Sequence, residues 1–253
     1  MKATFLEYEK PLITALVLCT TPEDFIAKIK ASDAEGADAF GLQMCKLKKE
    51  YRTDAVLKEI FAACNGKPIY VTSYRADASA DFTDEECMDY LLQMADCGAT
   101  LCDVMADCYC RTPGEITWDE TAVSRQKALI HELHRRGCEV LMSAHTDAYL
   151  TPEENLKIAQ AHAERGADIV KIVHNTTSED QLSECVESMN LLRKHIDKKS
   201  LYLVGGPCYK LIRQAGPNLG SCMYLCVQSM GPMDAAVAPI LKDIKLVRDH
   251  MIF

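Results

Sequence analysis

Eight short apolar runs recur along the chain, and the segments between them return an apolar residue every three or four positions. The runs are Leu12–Cys19, Ala39–Met44, Pro68–Tyr74, Thr100–Ala106, Glu139–His145, Ile169–Asn175, Leu201–Gly206 and Ser221–Gln228. Near-continuous apolar runs suit parallel strands covered on both faces, and a 3.6-residue period between them suits amphipathic helices. Helix punctuation agrees. Thr20-Thr21-Pro22-Glu23-Asp24 opens one helix with proline in its first turn, and Thr83-Asp84-Glu85-Glu86 and Thr151-Pro152-Glu153-Glu154 have the form of capping boxes. Ser178-Glu179-Asp180-Gln181 is a further version, while Gly36, Gly98, Gly137 and Gly166 close helices as left-handed caps. Eight such alternations predict an α/β fold, a closed (β/α)8 TIM barrel. The alternative, a doubly wound open sheet, usually carries a glycine-rich turn, and neither GxGxxG nor GxxxxGK[ST] occurs. No Pro/Gly/Ser-rich linker divides the chain, so a single barrel domain over residues 1–253 is expected.

Composition narrows the partners. A formal net charge of -9 argues against nucleic acid and anionic membrane surfaces, though not against a small anionic substrate held by a local field. No apolar run reaches the roughly 18 residues of a membrane span, and the N-terminus is charged too early for a signal peptide. Thirteen cysteines are scattered without a CxxC pair or zinc-like spacing, the nearest grouping being Cys102, Cys108 and Cys110. They read as reduced thiols in a cytoplasmic protein, with no metal site.

Three residues bring chemistry to the predicted strand ends. Lys171 interrupts the apolar run Ala167-Asp168-Ile169-Val170-Lys171-Ile172-Val173. A buried ammonium is costly unless paired or used, and desolvated lysines make good amine nucleophiles toward ketones. His145 ends the preceding run, where it can act as general acid and base. Arg213, in Tyr209-Lys210-Leu211-Ile212-Arg213, offers a planar fork for a carboxylate. Each has a plainer reading: a lysine snorkelling between strand and helix, a satisfied strand-end histidine, an exposed helix arginine. Strand parity puts Lys171, Val173 and Asn175 on one face and His174 on the other, so His174 is expected to be structural.

The stretches carrying these residues resemble one family. Met142-Ser143-Ala144-His145-Thr146-Asp147 with Thr151-Pro152, Gly166-Ala167-Asp168-Ile169-Val170-Lys171-Ile172, and Arg213-Gln214-Ala215-Gly216 before Gly220-Ser221 are similar to segments of the type I 3-dehydroquinate dehydratases. The likeness runs from Leu12 to Pro239. It implies a Schiff-base barrel lyase that converts 3-dehydroquinate to 3-dehydroshikimate in the shikimate pathway of aromatic amino acid biosynthesis. Lys171 would form the imine, His145 would move the protons and Arg213 would hold the substrate carboxylate, with Ser229 as a further contact. The resemblance also implies a homodimer. The protonated imine is itself the electron sink, so no metal or other cofactor is called for.

The first half of the family site differs. Where the family has Glu-x-Arg this chain has Gly41-Leu42-Gln43, so Gln43 would face the substrate. The arginine after the third strand falls at Tyr74, with Arg75 one residue on. The family's Asp-x-Glu, whose glutamate orients the histidine, becomes Asp103-Val104-Met105, leaving Asp107 to stand in. A late glutamine is replaced around Met233. Lost hydroxyl-pairing groups weaken discrimination for a polyol. Three readings follow: the dehydratase itself, a diverged class I aldolase or lyase acting on a less hydroxylated keto acid, and a carboxylate-binding pseudoenzyme.

Overall fold

Strand and helix alternate from Leu12 to Asp249 in the computed structural model, which describes residues 3–231 and 237–252. In chain order the elements are β1 (Leu12–Val17), α1 (Pro22–Ala34), β2 (Ala39–Gln43), α2 (Asp54–Ala62), β3 (Ile69–Thr72), α3 (Asp84–Cys97), β4 (Leu101–Met105), α4 (Glu120–Arg135) and β5 (Glu139–His145). They continue with α5 (Pro152–Arg165), β6 (Ile169–Asn175), α6 (Leu182–His195), β7 (Lys199–Gly205), α7 (Tyr209–Ala215), β8 (Met223–Cys226) and α8 (Leu241–Asp249). The strands form one eight-stranded parallel sheet, and the fold is a (β/α)8 barrel. Two compact units are distinguished. One comprises Met1–Asp103, Leu133–Glu139 and Leu225–Phe253; the other comprises Val104–Glu132 and Val140–Tyr224.

In the first unit β1, β2 and β3 pair in parallel register, Leu16 with Gly41 and Gly41 with Tyr70, and Thr72 pairs with Asp103 of β4. Ile13, Phe40 and Leu42 are fully buried, and so is Tyr70, which by its pairing with Gly41 lies on the opposite face from Phe40 and Leu42. An aspartate sets where the pairing starts: Asp38 donates its amide to the Ile13 carbonyl at 2.9 Å and accepts the Ile13 amide at 2.8 Å. Arg248 of α8 pairs with the same carboxylate and reaches the Pro11 carbonyl at 3.2 Å.

The second unit repeats that device at the second Gly-Ala-Asp of the chain. Asp168 donates its amide to the Val140 carbonyl at 2.8 Å and accepts the Val140 amide at 2.9 Å. The register then runs from Leu141↔Ile169 to His145↔Val173, and β6 pairs with β7 from Ile169↔Lys199 to Asn175↔Gly205. The expected capping boxes form at Thr83–Glu86 and Thr151–Glu154, and Gly98 and Gly166 take the left-handed cap. The Ser178 box forms too, but on a 3-10 turn that leads into α6. Strand limits differ at both ends of β8, which is two residues shorter at each, and at the start of β7, which begins at Lys199 because Lys199 and Ser200 lie against Ile169 and Val170. His174 is fully buried on the helix side. Leu150 donates its amide to Nδ1, so Nε2 carries the proton and faces the Tyr202 hydroxyl at 2.7 Å. Burial pulls its pKa down, as suits a neutral structural imidazole.

All thirteen cysteines are free thiols; twelve are buried and Cys110 is partly exposed. No helix among the described residues is long and apolar enough to cross a membrane.

The turn after β7 has little slack. Gly206 sits at φ +70°, and a Cβ there would lie 1.8 Å from the Thr176 carbonyl oxygen. Gly206→Ala is therefore expected to cost at least about 1 kcal/mol. Urea unfolding should show a lowered midpoint at unchanged slope.

Candidate active site

Lys171 and His145 reach the same side of the sheet by register. Ser143 pairs with Lys171, and His145 pairs with Val173. Residues paired in register share a face, and His145 lies two positions beyond Ser143, so lysine and histidine project together, opposite to His174. The histidine stands about 6.6 Å further along the strands than the lysine, two residues at roughly 3.3 Å each. Lys171 is 4% exposed. His145 is open enough to meet a ligand, with 31% of its side chain exposed.

The carboxylate partner of His145 comes from an unexpected place. Glu115, in the segment between β4 and α4, puts Oε2 2.6 Å from His145 Nδ1 and accepts the His145 amide at 3.2 Å through the same oxygen. A carboxylate at Nδ1 selects the tautomer with its proton there, leaving the Nε2 lone pair for a substrate. Asp107, the residue expected to replace the family glutamate, instead accepts the Thr112 amide at 3.1 Å and so braces the segment that carries Glu115. Glu115 itself adopts φ +52° directly after Gly114 at φ +87°. Its amide donates to the Thr112 carbonyl at 3.2 Å, and the Thr112 hydroxyl donates to the Ile116 carbonyl at 2.8 Å. No periodicity marks such a turn, and an isolated Gly-Glu in a loop was the only trace in the sequence.

Arg213 lies in the last turn of α7 and donates from Nε to the Val204 carbonyl at 3.2 Å, at the C-terminal end of β7. Burial lowers its pKa to about 10. No carboxylate among the described residues lies within ion-pair distance of it, so the half-buried guanidinium has no counter-charge among them. Asn175 ends β6 beside the same stretch; a Cβ on Gly205 would come within 1.9 Å of the Asn175 Oδ1. Asn175 Nδ2 donates to the Asp147 carboxylate at 3.2 Å. Lysine, the histidine–glutamate pair and arginine thus all belong to the second unit, on β6, on β5 and the β4–α4 segment, and on α7.

The remaining expected contacts fall in the first unit. The Thr72 hydroxyl donates to Gln43 Oε1 at 3.2 Å. Because β3 ends at Thr72, Tyr74 and Arg75 lie beyond the strand and its parity does not sort them. Arg75 is held by Asp84 at 2.7 Å, at the start of α3. Tyr74 and Tyr70 both donate to the buried carboxylate of Asp103. Burial and the Asp103 charge push the Tyr74 pKa well above the usual phenol range. Ser229 is exposed in the segment after β8. Met233 lies outside the described residues. Among those residues no cluster of His, Cys, Asp and Glu could hold a metal ion.

A sequence model of the family described as Type I 3-dehydroquinase matches residues 13–240. No curated protein matches the chain. Among solved structures, the 3-dehydroquinate dehydratase from Geobacillus kaustophilus HTA426 superimposes with a TM-score of 0.83 at 15% identity, over 96% of this chain and 92% of that one. The type I 3-dehydroquinate dehydratase from Clostridium difficile, crystallised with covalently modified comenic acid, gives 0.80 at 16% identity, over 96% and 93%. The Aquifex aeolicus VF5 3-dehydroquinate dehydratase gives 0.71 at 15%, over 94% and 97%. Identities this low speak to the fold.

The state of Arg213 has a measurable sign. A base whose pKa is lower in the folded state than in the unfolded one destabilises the fold at every pH below that folded value, here about 10, and the penalty fades as pH rises toward the ordinary arginine range. Arg213→Met is therefore expected to leave ligand-free stability at pH 7 unchanged or raise it by up to about 1 kcal/mol. Calorimetric melts of both proteins, without ligand, test this; a clear drop in melting temperature would count against it.

Proposed function

The chain belongs to the type I 3-dehydroquinase family, and from that premise we propose that it is a Schiff-base hydro-lyase that dehydrates 3-dehydroquinate to 3-dehydroshikimate. The observation that carries the reading is the shared face of Lys171 and His145 on paired strands, with Glu115 on the far nitrogen of the imidazole. The Lys171 amine attacks the substrate ketone, and loss of water gives a protonated imine. The imine withdraws electrons and makes the neighbouring C–H acidic. His145 Nε2 takes that proton, and Glu115 stabilises the imidazolium that results. The electron pair returns to expel the hydroxyl on the next carbon, which leaves as water with the proton from His145. A second water then hydrolyses the imine and frees Lys171. One group serves as base and then acid, so the atoms balance without an added oxidant or metal.

Arg213 supplies the charge that orients the substrate. A guanidinium part-desolvated with no counter-ion among the described residues gains most from an anion that brings its own charge, and a carboxylate matches its fork. The Clostridium difficile relative, crystallised with covalently modified comenic acid, is compatible with covalent chemistry here.

A second reading has its own support. Gln43, at the place of the family's Glu-x-Arg, and Asp103, at its Asp-x-Glu, are engaged within their own unit by Thr72 and by two tyrosines, and Arg75, one residue past the place of the family's strand-3 arginine, is held by Asp84. Groups committed in this way favour a less hydroxylated keto acid undergoing the same imine chemistry.

Incubation with 3-dehydroquinate and borohydride, followed by intact-mass spectrometry, separates the readings. A reduced adduct that disappears in Lys171→Ala is the expected outcome. A folded wild-type protein with no adduct would overturn the dehydratase, and an adduct only with less hydroxylated keto acids would establish the second reading.

A further inference from the structure

Arg165, the last residue of α5, is 4% exposed and yet its hydrogen-bond partners are all neutral. Nη1 donates to the Ala106 carbonyl at 2.9 Å and to Gln126 Oε1 at 3.0 Å, and Nη2 donates to the Thr117 carbonyl at 2.6 Å. An arginine buried on neutral groups is an expensive way to fill space, and its desolvation lowers its pKa. What it holds explains its presence. Ala106 and Thr117 are the two ends of the segment that carries Glu115, and the Thr117 amide closes that base on the Ala106 carbonyl at 3.2 Å. Gln126 adds donors to the Ala106 and Cys108 carbonyls at 3.0 and 2.9 Å. Ala106 is in turn tied to β5, its amide donating to the Ser143 carbonyl at 2.8 Å.

Glu115 has no comparable anchor of its own. Its side chain is 33% exposed and its backbone is left-handed, a conformation that persists only when the surroundings enforce it. The enforcement comes from the base of the loop, two residues away. We propose that Arg165 is a positioning residue: by clamping both ends of the 106–117 segment it holds Glu115 at His145 Nδ1, and so sets the tautomer and aim of the imidazole. The proposal rests on the reading of His145 as acid and base.

A cavity of ≈ 370 Å³ between α4 and α5 includes Arg165 in its lining, with Trp118, Lys127 and Glu164. This gives an exogenous guanidinium ion a path to the place an arginine would vacate. The test uses full-length Arg165→Ala, Glu115→Ala and the double variant. In Arg165→Ala, kcat for 3-dehydroquinate is expected to fall about tenfold to a hundredfold with KM little changed, because the aim of the base is lost rather than the grip on the substrate. The double variant should be no slower than Glu115→Ala, since a residue acting only through Glu115 has nothing left to act on. Millimolar guanidinium should restore rate to Arg165→Ala and not to the double variant. Multiplying losses, or guanidinium rescue in both, would overturn the proposal.

Nitrogen NMR of the His145 ring, recorded without substrate, reads the same point independently of turnover. Arg165→Ala should lose the Nδ1-protonated signature, as Glu115→Ala does; an unchanged spectrum would refute the positioning role even if no dehydratase activity were found. Should Arg165→Ala fail to fold, Gln126→Ala, which removes the other side-chain donor at Ala106, carries the same comparisons.

Discussion

One pairing, Ser143 against Lys171, decides what the second unit can do. Strand faces alternate residue by residue, so a slip of one position would turn Lys171 to the helices and bring His174 to the reactive side. The slip is blocked just before the pairing begins, where Asp168 closes two hydrogen bonds on Val140. Gly-Ala-Asp is used identically at Asp38 and Ile13 in the first unit. The aspartates need no part in the chemistry; they fix which residues face where.

A second theme is the cation kept from water without a partner charge. Arg213 and Arg165 are both shifted by burial, and neither has a carboxylate within ion-pair distance among the described residues. The two differ in what balances that cost. Arg165 meets carbonyls and an amide oxygen that are there at all times, so its strain is answered within the fold. Arg213 donates from Nε to one carbonyl, and among the described residues no other hydrogen bond holds its fork. The first arrangement builds a scaffold, and the second stores affinity for an anion.

Legibility in the sequence followed regularity in the backbone. β5 and β6 were readable to the residue because each is an unbroken apolar run with chemistry at fixed parity, and Lys171 and His145 came with them. Arg213 was found on a short helix through its surrounding motif. Glu115 was not, because strand parity offers Asp107, four positions beyond Asp103, as the stand-in carboxylate, and the chain delivers it from a turn twelve residues beyond Asp103. Tyr74 and Arg75 escape strand logic for a related reason: β3 stops at Thr72, and alternation says nothing about residues past a strand's end. Where hydrogen bonds rather than periodicity choose the conformation, only coordinates disclose the partner.

The thiols offer an experimental consequence of how this loop is built. Twelve of the thirteen are sealed in the interior, where burial suppresses the acidity of Cys64, Cys222 and Cys226, and the partly exposed one, Cys110, lies five residues before Glu115. Its amide is bonded to the Asp107 carbonyl at 3.1 Å, inside the segment that Arg165 clamps. A maleimide dye or spin label added to the unmodified protein would therefore attach at one preferred place. The chain carries its own reporter site for watching the glutamate-bearing loop, without the usual campaign of cysteine removal.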